Sequence, residues 1–150
     1  MNGWLDISST DTERDPLSQK VIGLAIEIHR ALGPGLFEAA YGECLAHDLS
    51  QAGLNFVREV PLALTYKAVS LPCVYRIDFV VENSLVLELK SVDRFDPVHK
   101  AQLLTYLRLS GKPVGLLLNF NQFRLRDGIL RMALTPEKIS APSALSASSA

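Results

Sequence analysis

The chain has 150 residues, of which 48% are hydrophobic, and this size and composition fit one globular domain with a sufficient core. Fifteen basic and sixteen acidic side chains give a net charge of −1, which excludes a protein whose whole surface is a basic nucleic-acid footprint. The two cysteines lack metal-ligand spacing, and no apolar run reaches the roughly 18 residues of a membrane span. The N-terminal sequence lacks the features of a signal peptide, so we expect a cytoplasmic protein.

The first segments in chain order are a polar arm and two helices. Residues 1–15 are polar and acidic without periodicity, which predicts a loose N-terminal arm. Asp15 as N-cap and Pro16 at the first helical position begin a helix that ends at the Gly-Pro-Gly sequence of residues 33–35. A second helix is predicted over residues 36–51, since its apolar side chains keep helical spacing.

The spacing of the apolar residues then changes to two, which predicts strands. A strand over residues 56–66 contains Pro61, and because proline cannot donate a ladder hydrogen bond, this strand belongs at an edge or a bulge. Strands over residues 74–81 and 85–91 flank a hairpin-like turn at residues 82–84.

A third helix and two strands complete the predicted domain. The helix runs from Asp96-Pro97 to Leu109, and strands follow at residues 114–120 and 129–134. Residues 135–150 are dominated by Ser, Ala and Pro, which predicts a disordered tail. The order of elements indicates a single α/β domain over residues 16–134, with a mixed sheet flanked by helices.

Charged residues interrupt two of the apolar strands, which is costly unless they are paired or bind a metal. Glu88 and Lys90 share one strand face, roughly 6–7 Å apart. If the two strands pair as a hairpin, Asp78 and Glu88 become neighbours, and a divalent cation would relieve their repulsion. We therefore expect these carboxylates and the Leu89 carbonyl to hold Mg²⁺ or Mn²⁺, with Lys90 positioning or activating a water. A metal-free ion pair between the strands is the alternative.

Three helical residues are further candidates. Gln102 and Tyr106 are four residues apart on one helix face, where they could hydrogen-bond a phosphate or hold a catalytic carboxylate. An incidental polar pair is the alternative interpretation. Glu38, near the start of the second helix, would either complement the helix dipole or act as an outer metal ligand.

Basic residues outside this group have simpler interpretations. A surface or capping role is expected for His29. His99 could reach a phosphate, since it lies three residues before Gln102, but a solvated position is expected for it. Three arginines near the C-terminal end could form a rim for nucleic acid or an ordinary solvated surface: Arg124, Arg126 and Arg131.

The segment from Gly35 to Tyr41 places Gly, Glu and Tyr at the spacing GxxExxY. Four further segments follow in order: Tyr75–Asp78, Glu88–Lys90, Pro97–Leu107 and Gly115–Phe120. Together, over about residues 18–134, they resemble the GxxExxY family, a branch of the PD-(D/E)xK nuclease-like superfamily. The resemblance implies a restriction-endonuclease-like α/β fold.

The resemblance also implies a role for each candidate residue. The superfamily's acidic helix position falls on Glu38, its metal-binding Asp on Asp78, and its (D/E)xK element on Glu88 and Lys90. The Q-x-x-x-Y element of the exonuclease-like branch falls on Gln102 and Tyr106. The implied catalytic set is therefore Glu38, Asp78, Glu88, Lys90, Gln102 and Tyr106, and the implied metal ligands are Asp78, Glu88, Leu89 and Glu38.

The leading hypothesis is a Mg²⁺-dependent nuclease that hydrolyses DNA phosphodiester bonds with a metal-activated water. We expect the nucleic-acid partner to be DNA rather than RNA. One alternative is a non-catalytic nucleic-acid- or protein-binding module with a nuclease-like fold. The slight acidity and small size support it, because little basic surface is available to hold a long duplex. Another is a structural or dimerisation domain whose charged strand residues form ion pairs only. A homodimer or a protein partner is compatible with each hypothesis.

Overall fold

Three helices and six strands form the part of the chain that this computed structural model describes, residues 4–7 and 15–134. In chain order they are β1 (Trp4–Ile7), α1 (Pro16–Leu32), α2 (Glu38–Gln51), β2 (Phe56–Tyr66), β3 (Val69–Val81), β4 (Leu85–Lys90), α3 (Pro97–Ser110), β5 (Val114–Asn119), a short 3₁₀ helix (Leu125–Gly128) and β6 (Ile129–Leu134). No helix in these described ranges is long and apolar enough to cross a membrane.

The six strands form one mixed sheet in the order β1-β6-β5-β4-β3-β2. The central pair, β4 and β5, is parallel, and the other neighbouring strands are antiparallel. Buried side chains of α1 and α2 pack on one face of the sheet, and those of α3 pack on the other. The predicted α/β architecture, a single domain with a mixed sheet flanked by helices, is thereby confirmed.

Helix starts follow the capping chemistry that the sequence indicates. The carboxylate of Asp15 accepts hydrogen bonds from the Ser18 backbone N–H and, at 2.6 Å, from its hydroxyl, and Pro16 occupies the first helical position. At the start of α3, the Asp96 backbone N–H donates to Nδ1 of His99 at 3.0 Å. His99 therefore caps a helix, and its side chain stays partly exposed, in keeping with the expected solvated position.

The central strand β4 positions the charged residues of interest. Leu85, Leu87 and Leu89 pack toward α1 and α2, while Val86 packs toward α3. Because strand side chains alternate between faces, Glu88 and Lys90 follow Val86 on the α3 side of the sheet.

The hairpin of β2 and β3 is longer than predicted. β3 begins at Val69 rather than residue 74, since Lys67 and Ala68 have φ values of 48° and 67° and form a tight two-residue turn. β2 is an edge strand that contains Pro61 and shows a register shift between Leu62 and Leu64, as its proline indicates.

The N-terminal segment corrects one expectation. Residues 1–15 were expected to be a loose arm, but Trp4–Ile7 forms β1, which pairs with β6 and extends the sheet. A four-residue strand is too short for its two-residue period to stand out in the sequence. The predicted tail, residues 135–150, lies outside the described residues.

Candidate active site

Asp78 and Glu88 lie where the ladder between β3 and β4 ends. The last bridge pairs Phe79 with Leu87, so the same register places Asp78 opposite Glu88. Each carboxylate accepts a backbone N–H from the other strand: Asp78 N–H donates to Glu88 Oε2, and Leu89 N–H donates to Asp78 Oδ2, both at 2.9 Å. The two carboxylates are neighbours, as the hairpin spacing predicts.

Strand β2 contributes a second irregularity beside Asp78. The register places Glu59 opposite Asp78, between the paired positions Arg58–Phe79 and Val60–Ile77. Glu59 has a φ of 53°, in the left-handed region that non-glycine residues rarely adopt. Ile77 and Val80 both pack on the α3 side, so the alternation of β3 is interrupted around Asp78. Asp78 consequently lines a cavity of about 210 Å³ together with Glu38, Glu59 and Leu89.

Glu38 reaches the end of β4 from the other direction. It is the first residue of α2, and its carboxylate accepts the Ser91 backbone N–H at 3.2 Å. The Ser91 hydroxyl donates to the Leu36 carbonyl at 2.9 Å, which ties the preceding loop to the same strand end. The negative charge of Glu38 acts on both Asp78 and Glu88.

Tyr41 holds the loop that delivers Glu38. Its hydroxyl donates to the Gly33 carbonyl and accepts the Leu36 N–H, and its ring stacks on Phe120 with centroids 4.3 Å apart. The Tyr41 ring is buried in the core, so its hydrogen bonds anchor the loop between α1 and α2 to the core. Sequence reasoning gave Tyr41, Ser91 and Glu59 no site role; only the GxxExxY spacing pointed to Tyr41.

Helix α3 brings Gln102 and Tyr106 to the same region. The Lys90 ammonium donates to Gln102 Oε1 at 3.4 Å. Tyr106 is buried, and burial, followed by the charges of Glu88 and Asp78, raises the pKa of its hydroxyl to about 12. The structure therefore brings together all six residues that the sequence suggested, from α2, β3, β4 and α3.

The electrostatics of the pair are unfavourable without a counter-charge. Glu88 is only 4% exposed, and burial, followed by repulsion from Asp78, raises the pKa of its carboxyl to about 8. Burial also raises the pKa of Asp78, although the Leu89 N–H and the Lys90 charge oppose the shift. Both carboxyl pKa values stay raised despite the charge of Lys90, which leaves room for one or more protons or for a cation.

The donor chemistry fits a hard divalent cation. Carboxylate and carbonyl oxygens from Asp78, Glu88, Glu38 and Leu89 are the ligand types that Mg²⁺ and Mn²⁺ prefer. Among the described residues, however, no group of three or more His, Cys, Asp or Glu is arranged to hold a metal ion. Each of the three carboxylates accepts a backbone N–H through one oxygen, and because a carboxylate has lone pairs on two oxygens, these hydrogen bonds are compatible with metal ligation.

Two expectations about basic residues were wrong. Arg131 is buried and donates to Asp15 at 2.8 Å and to the Ser18 hydroxyl at 3.4 Å, so it does not belong to a nucleic-acid rim. His29 is buried rather than superficial, because the loop after β5 folds over α1 and the His29 Nε2–H donates to the Gln122 carbonyl at 2.8 Å.

A family model of the PD-(D/E)XK nuclease superfamily matches residues 15–132 of the chain. The match extends from the N-cap of α1 into β6 and contains all six candidate residues. Neither a curated protein nor a solved structure matches the chain.

Proposed function

Because the chain belongs to the PD-(D/E)XK nuclease superfamily, we propose that it is a divalent-metal-dependent nuclease of the GxxExxY branch that hydrolyses DNA phosphodiester bonds. The observation that carries this proposal is the pair of carboxylates where the β3–β4 ladder ends, a half-buried Asp78 and a buried Glu88, with Lys90 beside them. A charged pair that is costly to bury without a cation is well explained by a catalytic centre. The cytoplasmic location stays a prediction.

The residues divide between holding a cation and handling the substrate. Asp78, Glu88 and the Leu89 carbonyl would hold Mg²⁺ or Mn²⁺, with Glu38 as an outer ligand. When bound, such a cation polarises a phosphodiester and lowers the pKa of a water. The acidic centre therefore selects a cation first and, through it, an anionic substrate.

Lys90 is the cationic side chain of the proposed centre. Its ammonium, held by Gln102, would position the attacking water or stabilise the charge that develops on the phosphoryl oxygens. The Tyr106 hydroxyl stays protonated at neutral pH, because its pKa is raised to about 12. Tyr106 can therefore donate a hydrogen bond to a carboxylate or phosphate but does not act as a general base.

The test is cleavage of labelled single- and double-stranded DNA by the purified chain, with Mg²⁺, with Mn²⁺ and with chelator. We expect metal-dependent cleavage that falls by about 100-fold or more in Lys90→Ala and Glu88→Gln. Lys112→Ala is the matched control, since Lys112 bonds Asn83 at the opposite end of β4 and should leave the rate unchanged. Equal cleavage by the wild type and both site variants would indicate a contaminating nuclease and refute the proposal.

One observation favours a second candidate, a binding module without turnover. The carboxylates of Glu38, Asp78 and Glu88 already accept backbone N–H groups, so the centre is hydrogen-bonded without a metal. This candidate predicts DNA binding that is equal in the wild type and Lys90→Ala, with no cleavage in either metal. The same cleavage assay, run beside a binding assay, separates the two functions.

A further inference from the structure

Two phenylalanine rings near the candidate active site are almost fully exposed. Phe37 precedes Glu38 at the start of α2 and is 87% exposed. Phe123 lies in the loop between β5 and the 3₁₀ helix and is 93% exposed. Among the large hydrophobic side chains whose exposure the structure describes, these two are the most exposed.

The exposure of Phe123 is built into a loop that is held in place. The backbone carbonyl of the preceding Gln122 accepts a hydrogen bond from His29. The Gln122 side chain donates from Nε2 to the Asp93 carbonyl at 3.0 Å. The Leu125 side chain that follows is buried in the core. With anchors on both sides, the ring of Phe123 is presented to solvent on a defined support.

The loops that carry these rings line cavities beside the acidic centre. The cavity with Asp78 shares Glu38 and Ala39 with a second cavity of about 570 Å³, which is also lined by Phe37 and Asn121. A third cavity of about 450 Å³ continues along the same two loops, from Pro34 on one side and Phe123 on the other. We call the second and third cavities together the Phe37–Phe123 groove.

The far end of this groove is basic. Arg30, Arg124 and Arg126 line it, and all three are exposed. Arg124 contacts Asp127 at 3.4 Å, but both side chains are more than half exposed, so this ion pair is weak and could give way to a phosphate. The groove thus runs from carboxylates suited to a cation toward arginines suited to phosphates.

We propose that the Phe37–Phe123 groove binds a single-stranded segment of nucleic acid, with bases stacked on the two rings and phosphates on the arginines. Aromatic side chains stack on unpaired bases, whereas the base faces of a duplex are covered. A chain with net charge −1 also has little surface with which to hold a long duplex. The proposal rests on the proposed nuclease function in naming the substrate, an unpaired strand that leads to Asp78 and Glu88.

The stacking contribution is tested by fluorescence anisotropy with the full chain and a labelled oligothymidylate, in chelator so that no cleavage occurs. We expect Phe37→Ala and Phe123→Ala each to weaken binding at least about fivefold, the lower limit for loss of one stacked base. Both rings are exposed, so these variants should fold normally. Tyr66→Ala is the matched control, since Tyr66 is a 61% exposed aromatic residue at the distal end of β2 and does not line the groove.

The phosphate contribution is tested by the salt dependence of the same binding. Replacing Arg124 and Arg126 with alanine should reduce the slope of log affinity against log salt by about 0.7 for each phosphate that an arginine no longer neutralises. Arg108→Ala, which removes an exposed arginine on α3, should leave the slope unchanged.

Two results would overturn the groove: binding to oligothymidylate that is unchanged in both phenylalanine variants, or tighter binding to a hairpin duplex that neither variant affects. These results differ from failure of the nuclease proposal, because anisotropy requires no catalysis. Groove-dependent binding without cleavage in any metal would refute only the nuclease. Metal-dependent cleavage of single strands at a rate that neither phenylalanine substitution changes would refute only the groove.

Discussion

Asp15 joins the start of α1 to strand β6. Its carboxylate caps the helix through Ser18 and accepts the Arg131 guanidinium at 2.8 Å. Burial acts to raise the pKa of Asp15, but the hydrogen bonds from Ser18 and Arg131 outweigh it, so the pKa is lowered. One carboxylate therefore contributes both a helix cap and a partner for a buried arginine.

Replacing Asp15 with alanine should lower the free energy of unfolding by about 1–3 kcal/mol, since the cap is lost and Arg131 is left buried without its partner. Urea denaturation followed by circular dichroism measures the change. Asp127→Ala is the control, because its ion pair with Arg124 is exposed and should contribute less than about 1 kcal/mol. Equal effects of the two substitutions would contradict this role of Asp15.

The Asp15 contribution should also depend on pH. A carboxyl whose pKa is lower in the folded than in the unfolded protein stabilises the fold fully at pH values above its ordinary pKa of 3.8. This stabilisation disappears as pH falls through the folded-state pKa. The stability difference between wild type and Asp15→Asn should therefore narrow as pH falls from neutrality to below 3.8. Denaturation curves at several pH values provide the measurement, and a difference that widens in acid would show the opposite sign.

Among the elements, α3 depends on a close approach to β5. An added Cβ at Gly115 would lie 2.8 Å from Leu103 Cδ1 and 3.2 Å from Leu107 Cδ2. Since α3 also carries Gln102 and Tyr106, a shift of the helix would move both away from Lys90 and the carboxylates.

Gly115→Ala should therefore destabilise the fold by about 1–3 kcal/mol, the usual cost of overpacking a core. Gly23 provides a matched control on the surface of α1, where an added Cβ meets no atom within 4 Å. Gly23→Ala should instead stabilise the protein by about 0.5–1 kcal/mol, because alanine loses less backbone entropy in a helix. A urea midpoint that rises for Gly115→Ala, as it should for Gly23→Ala, would show that Gly115 is not tightly packed.

The elements that could be predicted from sequence are those with strong local signals. Asp15-Pro16 marked the start of α1, and the turn at residues 82–84 set the register that places Asp78 beside Glu88. The left-handed conformation of Glu59 has no such signal in the sequence, because Glu59 lies on β2 opposite Asp78, where the side-chain alternation of β3 is interrupted. Strand β1 was missed because its pairing partner lies at the other end of the chain.

At the scale of the whole molecule, the candidate site is assembled from contacts between distant segments. Sequence spacing could relate Glu88 to Lys90 and Gln102 to Tyr106, but the approach of α2 to β4 appears only in the fold. The same holds for Arg131 and His29, whose partners lie 116 and 93 residues away along the chain. Only contacts between segments that are distant in sequence therefore distinguish a buried, structural arginine from an exposed one that is available to bind nucleic acid.

The central claim, a divalent-cation site built on Asp78 and Glu88, is tested most directly by the melting temperature of the full chain with and without Mn²⁺. A ligand that binds only the folded state adds about 2.7 kcal/mol at 100 times its Kd, so Mn²⁺ should raise the melting temperature of the wild type. The exposed-carboxylate control Glu27→Gln should respond equally, whereas Asp78→Asn and Glu88→Gln should not respond. A Mn²⁺ shift that persists undiminished in Asp78→Asn and Glu88→Gln would contradict the account.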